Sequence, residues 1–153
     1  MIERLGHCSE SVAKEIHRVF QAAYKVEAEQ IGVTDFPPLK RSAEHIRATE
    51  GDFLGCWSGV ELTAVMEYVL ADSHLSIDSL VVHPDHFRRG LASSLLQFRL
   101  AQTDWQTADV ETAAQNGPAI ALYEKFGFSF AAQWTTKAGI DKVRLSLDRA
   151  NAG

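Results

Sequence analysis

One segment constrains the fold of this chain more than any other: an apolar stretch, a glycine-containing loop and an amphipathic stretch in succession. Residues 76–82 are SIDSLVV, residues 83–90 are HPDHFRRG, and residues 91–101 are LASSLLQFRLA. Pro84 ends the predicted strand, and Gly90 permits a positive φ or a close backbone approach. The first turn of a helix presents unpaired amide donors at the positive end of its dipole. The segment therefore predicts a strand, a loop and a helix whose N-terminus favours an anion.

The residues around this helix start suit a phosphate group. Arg88 and Arg89 supply positive charge, while Gly90, Ala92 and Ser93 leave room for a bulky anion. No GKS or GKT follows, as a Walker motif requires, and the GxGxxG of a dinucleotide fingerprint is absent. The alternative is a strand–glycine–helix junction with a purely structural role.

Hydrophobic periodicity along the rest of the chain predicts a mixed α/β structure. The predicted helices cover residues 9–29, 42–49, 90–102 and 116–126, and the predicted strands cover 1–7, 53–58, 60–71, 74–83, 107–113 and two segments of 128–147 that are joined near Gly139. Short connections favour an antiparallel meander for the three central strands, whereas the crossover helix requires a local parallel pair. We expect one domain, residues 1–153, with a largely antiparallel sheet flanked by helices.

Composition and charge disfavour several classes of protein. The net charge of -5 argues against nucleic-acid binding, which normally requires a basic excess. No apolar run approaches the roughly 18 to 20 residues of a membrane span, and the N-terminus lacks the apolar stretch of a signal peptide. We therefore expect a cytoplasmic protein that binds neither membrane nor nucleic acid. The two cysteines, Cys8 and Cys56, and the six histidines lack the spacing of metal ligands, so we expect reduced thiols and no metal.

A second motif lies downstream, in residues 116–128, which are NGPAIALYEKFGF. It resembles the N-x-x-A-x-x-x-Y-x-x-x-G-F helix of the GNAT superfamily of acyl-CoA-dependent N-acetyltransferases. Residues 82–84 and 90–92 resemble the same family's motif A, in which V-x-P ends a strand and Q/R-x-x-G-x-G/A begins a helix. The order of predicted elements also matches the GNAT fold. One position departs from the pattern, because Phe87 stands where the family usually has Gln or Arg, and Arg88 or Arg89 is left to supply the cation.

The resemblance implies that acetyl-CoA is the co-substrate and implies where it binds. The backbone of Leu80 and Val82 would hold the pantetheine arm and help to polarise the thioester carbonyl. The amides around Arg89, together with those of Gly90, Ala92 and Ser93, would bind the diphosphate. Asn116 would either hydrogen-bond the co-substrate or cap its own helix.

The resemblance also implies a proton donor, and the sequence offers two candidate bases. Tyr123 matches the family position that protonates the leaving thiolate, and an interfacial tyrosine without chemistry is the alternative. Glu67 is the one charge in the apolar stretch 62–71, and alternation puts Asp78 on the same strand face as Leu80 and Val82. Either carboxylate is a candidate general base, and the alternative for each is a side chain that faces solvent.

These observations predict an N-acetyltransferase that moves an acetyl group to an amine by direct attack. No cysteine falls in the matched motifs, which disfavours a covalent enzyme intermediate. The acceptor is a small-molecule or peptide amine that the sequence does not identify, and Tyr24, Phe36 and Trp57 are candidates to shape its pocket. The alternatives are a non-catalytic acyl-CoA-binding module and an anion-binding protein of unrelated fold. The sequence leaves the oligomeric state open. Homodimers through the C-terminal strands are common in folds of this type.

Overall fold

A seven-stranded sheet forms the centre of the molecule, and helices pack on both of its faces. The computed structural model describes residues 1–151. The strands are β1 (Ile2–Arg4), β2 (Asp52–Ser58), β3 (Glu61–Ala71), β4 (His74–Val82), β5 (Thr107–Ala113), β6 (Ser129–Thr135) and β7 (Asp141–Asp148). The α-helices are α1 (Glu10–Ile31), α2 (Ala43–Arg47), α3 (Leu91–Leu100) and α4 (Gly117–Lys125), and 3₁₀ turns occupy Pro37–Lys40, Pro84–His86 and Arg149–Asn151.

The sheet has the order β1-β2-β3-β4-β5-β7-β6. Every neighbouring pair is antiparallel except β4 and β5, which are parallel. The predicted mixed fold, with its largely antiparallel sheet and one parallel crossover, is therefore confirmed. The predicted first strand shortens to three residues, and the predicted helix at 42–49 shortens to five.

Side-chain alternation on β3 divides the core between the two faces of the sheet. Met66 belongs to a cluster that includes Leu95 and Leu96 of α3, whereas Val65 belongs to a cluster that includes Ile16 and other residues of α1. All five of these side chains are fully buried. The period of two on the strand thus places α1 on one face of the sheet and α3 on the other.

Glycines end the two helices that carry tyrosines towards the site. Gly32 follows α1 with φ of 70°, and its amide bonds to the carbonyls of Ala28 and Glu29. Beyond α4, Gly127 has φ of 99°, which confirms the predicted left-handed cap. Within residues 1–151, no helix combines the length and the apolar character that crossing a membrane requires.

Candidate functional site

Strands β4 and β5 pair over only part of their lengths. Their parallel register begins at His74 and Thr107 and ends at Ile77 and Val110. β4 continues to Val82, and β5 continues to Ala113 while pairing with β7 on its other side. The facing edges of residues 78–82 and 111–113 therefore lie apart, without a strand partner across the gap. Peptide groups on such an edge are free to bond an extended ligand.

A cavity of about 990 Å³ opens at this gap. Its volume falls within the usual range for small-molecule sites. Five of the predicted catalytic and co-substrate residues line the cavity, namely Glu67, Asp78, Leu80, Asn116 and Tyr123. The structure thus brings together the three candidate catalytic residues, which belong to two strands and a helix that are distant in the sequence.

The other predicted co-substrate residues lie outside this cavity, at the end of β4 and around the start of α3; they are Val82, Arg88, Arg89, Gly90, Ala92 and Ser93. The first α3 hydrogen bond joins the amide of Ser94 to the carbonyl of Gly90 at 2.9 Å, so the preceding amides point out of the helix start. Arg88 and Gly90 have positive φ values of 65° and 71°. A Cβ on Gly90 would meet no atom within 4 Å, so the backbone conformation, not space, favours glycine there.

Tyr123 presents an unpaired hydroxyl to the cavity. The residue is 4% exposed, and its ring packs edge-on against Phe128 with a centroid distance of 5.6 Å. Its hydroxyl makes no hydrogen bond to another residue of the described chain. Burial raises the pKa of the Tyr123 phenol, and the neighbouring Tyr24 and Glu27 raise it further. The side chain is therefore a neutral hydrogen-bond donor at physiological pH.

Asp78 sits on a β-bulge at the point where β4 leaves β5. Glu67 pairs with Ser79 and Tyr68 pairs with Ile77, so Asp78 is the extra residue. Its side chain is exposed at the cavity and forms no ion pair within residues 1–151. Partial removal of water raises the pKa of Asp78 to about 6, and three nearby carboxylates, chiefly that of Glu67, contribute.

The bulge also changes which side chains of β4 lie on the same face of the sheet. Leu75 and Ile77 belong to the same core cluster as Leu80 and Val82, although an odd number of positions separates the two pairs. The alternation of side chains is therefore interrupted at Asp78. Residue spacing alone does not place Asp78 on the same strand face as Leu80 and Val82, as the sequence predicted.

Glu67 is held in a buried ion pair. It is 5% exposed, and its two oxygens accept hydrogen bonds from Arg41 Nη1 and Nη2 at 2.6 and 2.9 Å. Ser79 Oγ donates to the Oε1 atom at 3.2 Å. Three of the approximately four acceptor positions of this carboxylate are thus occupied. Arg41 was missed in the sequence because it follows the short 3₁₀ turn Pro37–Lys40, where no periodicity links it to a strand.

Asn116 caps α4 and also hydrogen-bonds to Glu27 of α1. Its Oδ1 accepts from the amide of Ala119 at 3.3 Å, and its Nδ2 donates to Glu27 Oε1 at 2.9 Å. Burial raises the pKa of Glu27, against a lowering effect of the Asn116 hydrogen bond. Glu27 was missed, although its position three residues after Tyr24 on α1 was the available signal.

Two of the three candidate residues for the acceptor pocket lie at the cavity, and the third does not. Tyr24 and Phe36 line the cavity, and the Tyr24 hydroxyl donates to Ser79 Oγ at 3.0 Å. Trp57 does not line it and instead packs against the core cluster under α1. Within residues 1–151, no group of three or more potential metal ligands is gathered, and Cys8 and Cys56 are unpaired thiols.

Solved structures of other proteins share this arrangement of helices and strands. The E. coli ribosomal-protein-S18-alanine N-acetyltransferase superposes with a TM-score of 0.76 at 22% identity, over 100% of this chain and 96% of that one. The structure of yncA from Salmonella typhimurium with its cofactor acetyl-CoA gives a TM-score of 0.73 at 16% identity, over 97% of this chain and 92% of that one. At these identities the likeness establishes the fold.

Sequence comparison identifies the family of this chain. UPF0157 protein YqkA of Bacillus subtilis (strain 168) is 39% identical over 132 residues, which are 86% of this chain and 38% of the relative. The chain therefore matches well under half of the length of that relative. The sequence profile described as the acetyltransferase (GNAT) family matches residues 13–128, which include both motifs and most of the chain. With the diverging strands and the α3 and α4 motifs in place, the chain belongs to the acetyltransferase (GNAT) family.

Proposed function

We propose that this protein transfers an acetyl group from acetyl-CoA to an amine by direct attack. The divergence of β4 from β5 after Ile77 carries the proposal, because it leaves the edge of β4 unpaired beside a cavity that Tyr123 lines. Family membership supports acyl-CoA as the donor, and the yncA structure with acetyl-CoA supports acetyl as the group transferred.

The donor would bind along β4 and continue onto α3. The unpaired edge of Leu80 and Val82 suits the amide-containing pantetheine arm, since extended amides pair with a free strand edge. The amides preceding Ser94 suit the diphosphate, since a helix start favours negative charge. Acetyl-CoA supplies an acyl thioester at this site.

Tyr123 is the proposed acid. Its hydroxyl has no partner within the described chain, and its raised pKa keeps it protonated at neutral pH. It would first donate a hydrogen bond to the charge that develops on sulfur, and the proton lost by the acceptor nitrogen would replace the one that passes to sulfur. One C–N bond forms and the C–S bond of the thioester breaks; Tyr123 gives its proton to sulfur and regains one from the acceptor nitrogen.

Asp78 is the proposed base, and Glu67 is the competing candidate. An ammonium acceptor must lose one proton before it attacks, and the base must therefore be ionised and reachable. Asp78 is exposed at the cavity, and a pKa of about 6 leaves it ionised yet more basic than an ordinary aspartate at neutral pH. Glu67 has fewer free acceptor positions because Arg41 and Ser79 already donate to it.

Acetyl-CoA turnover across a panel of amines tests the proposal. The panel contains polyamines, aminoglycosides, amino acids, lysine peptides and peptides with free N-termini, and a thiol reagent detects the released CoA. We expect release that depends on at least one acceptor, with acetylated product detected by mass spectrometry. Acetyl-CoA binding without release for every amine would instead support the non-catalytic module, and phosphate binding without preference for CoA would support an unrelated anion-binding protein.

A further inference from the structure

The loop between β4 and α3 contains a buried histidine. His86 is 9% exposed, and both of its ring nitrogens have polar partners. Its Nδ1 lies 2.9 Å from Arg89 Nη1, and its Nε2 lies 3.3 Å from Glu61 Oε1. Glu61 begins β3, so the chain of contacts joins the sheet to the residue immediately before Gly90.

The chemistry of these partners fixes the direction of each hydrogen bond. An arginine only donates, so His86 Nδ1 accepts from Arg89 and carries no proton. The proton of the neutral ring therefore lies on Nε2, which donates to the Glu61 carboxylate. His86 thus holds the Arg89 guanidinium in one orientation while leaving most of its five N–H donors free.

Arg88 differs from its neighbour in this respect. Within residues 1–151 it makes no side-chain hydrogen bond and no ion pair. Both arginines were candidates to replace the cation that Phe87 lacks, but only Arg89 is held by a buried partner. A guanidinium held in place binds an oxyanion with less loss of side-chain entropy than a freely moving one.

We propose that Glu61 and His86 are positioning residues that hold Arg89 as the cation for the diphosphate of coenzyme A. The inference rests on the proposed function, since it requires acyl-CoA to bind at the start of α3. Arg89 contacts the diphosphate, and His86 acts only through Arg89. The chain of three residues therefore supplies the charge that the Phe87 position does not.

Calorimetric titration with CoA separates the two arginines. Arg89→Gln should weaken CoA binding roughly tenfold, the effect of losing a hydrogen-bonded charge from a phosphate site. Arg88→Gln, the matched control, should weaken it by no more than about threefold, as expected of an untethered surface charge. Equal losses for the two variants would overturn the assignment to Arg89.

A double-mutant cycle tests whether His86 acts through Arg89. His86→Phe keeps a ring but removes both hydrogen bonds, so it should weaken CoA binding several-fold in the Arg89 background and hardly at all in Arg89→Gln. His86→Asn, whose side-chain oxygen can accept from Arg89, should restore part of the affinity. An equal loss in both backgrounds would show a general structural role and would overturn the inference. If His86→Phe does not fold, Glu61→Ala takes its place in the same cycle, with the same two outcomes.

Titration with 3′-dephospho-CoA identifies the phosphate that Arg89 contacts. The loss caused by Arg89→Gln should be the same for this ligand as for CoA, because both contain the diphosphate. A loss that disappears with 3′-dephospho-CoA would assign Arg89 to the 3′-phosphate and overturn the inference. Failure of the wild-type protein to bind CoA would overturn the proposed function as well, whereas wild-type binding with an unaffected Arg89→Gln variant overturns the inference alone.

Discussion

Tyr123 and Asp78 differ in the charge that their surroundings favour at neutral pH. Burial keeps the Tyr123 phenol protonated, whereas Asp78, with a pKa of about 6, has lost most of its proton by pH 7.5. One cavity therefore contains a proton donor and a proton acceptor, placed on α4 and on β4. Acid–base chemistry in a single site usually depends on two such groups, one kept protonated and the other ionised at the same pH.

Removing the Tyr123 hydroxyl should affect turnover much more than donor binding. Tyr123→Phe retains the ring and its packing against Phe128, so the fold and the CoA affinity should change little. The rate should fall roughly 10²-fold or more, the usual contribution of a general acid. Steady-state kinetics and CoA titration measure the two effects separately. Unchanged turnover would remove Tyr123 from the mechanism.

The pH dependence of catalysis should follow the titration of Asp78. A base must be ionised to accept a proton, so kcat/KM should fall as pH drops through about 6. Asp78→Asn should lower kcat/KM and abolish this acidic limb, whereas Glu67→Gln should keep the limb and move it to lower pH, because it removes a negative charge that raises the Asp78 pKa. Loss of the limb in Glu67→Gln, with retention in Asp78→Asn, would assign the base to Glu67.

Asp78 should also contribute unfavourably to stability at high pH. Folding raises its pKa from an ordinary 3.8, so the folded state prefers the protonated form. The stability associated with that proton is present at low pH and is lost as pH rises through about 6. Asp78→Asn should therefore raise Tm at pH 8 and lose this advantage at pH 3. Thermal melts at both pH values check the sign; a lower Tm for the variant at pH 8 would contradict it.

Among the elements, β3 and the segment before α2 depend on one buried ion pair. The side chains of Arg41 and Glu67 are 18% and 6% exposed, and Arg41 also donates to Thr49 Oγ1 at 2.7 Å. The guanidinium lies over the Phe20 and Phe53 rings at 5.7 and 5.9 Å. Arg41 therefore ties the loop after α1 to the sheet beside the cavity.

Breaking this pair from one side should destabilise the protein strongly. Arg41→Met leaves Glu67 buried without its countercharge, which should lower the free energy of unfolding by about 3–5 kcal/mol. The control is Lys14→Met, whose partner Glu10 is exposed, with an expected change below about 0.5 kcal/mol. Denaturant titration of both variants tests the difference. Equal effects would mean that Glu67 is solvated in the folded protein.

Local pattern was enough to predict most elements of the fold but not their spatial neighbours. Period-two and helical spacing located the strands and helices, since burial of one face imposes them. The insertion of β7 between β5 and β6 was not predicted, because chain order does not fix sheet order. The bulge at Asp78 and the Arg41–Glu67 pair arise from contacts between distant segments, so neither leaves a periodic trace.

At the scale of the whole molecule, the sheet consists of two parts that are joined over four residue pairs. Strands β1 to β4 form one part, β5 to β7 form the other, and only residues 74–77 and 107–110 connect them. The cavity occupies the widening gap, with α1 contributing Tyr24 and Glu27 and α4 contributing Tyr123. Under the proposed function, this gap is where the donor and the acceptor would meet.

A crystal structure of the protein with CoA tests this account most directly. It should show the pantetheine arm bonded to the β4 backbone at Leu80 and Val82, with its sulfur near the Tyr123 hydroxyl. The diphosphate should lie on the amides at the start of α3, beside Arg89. CoA bound outside the gap between β4 and β5, or a gap closed by continued pairing beyond Ile77 and Val110, would contradict the account.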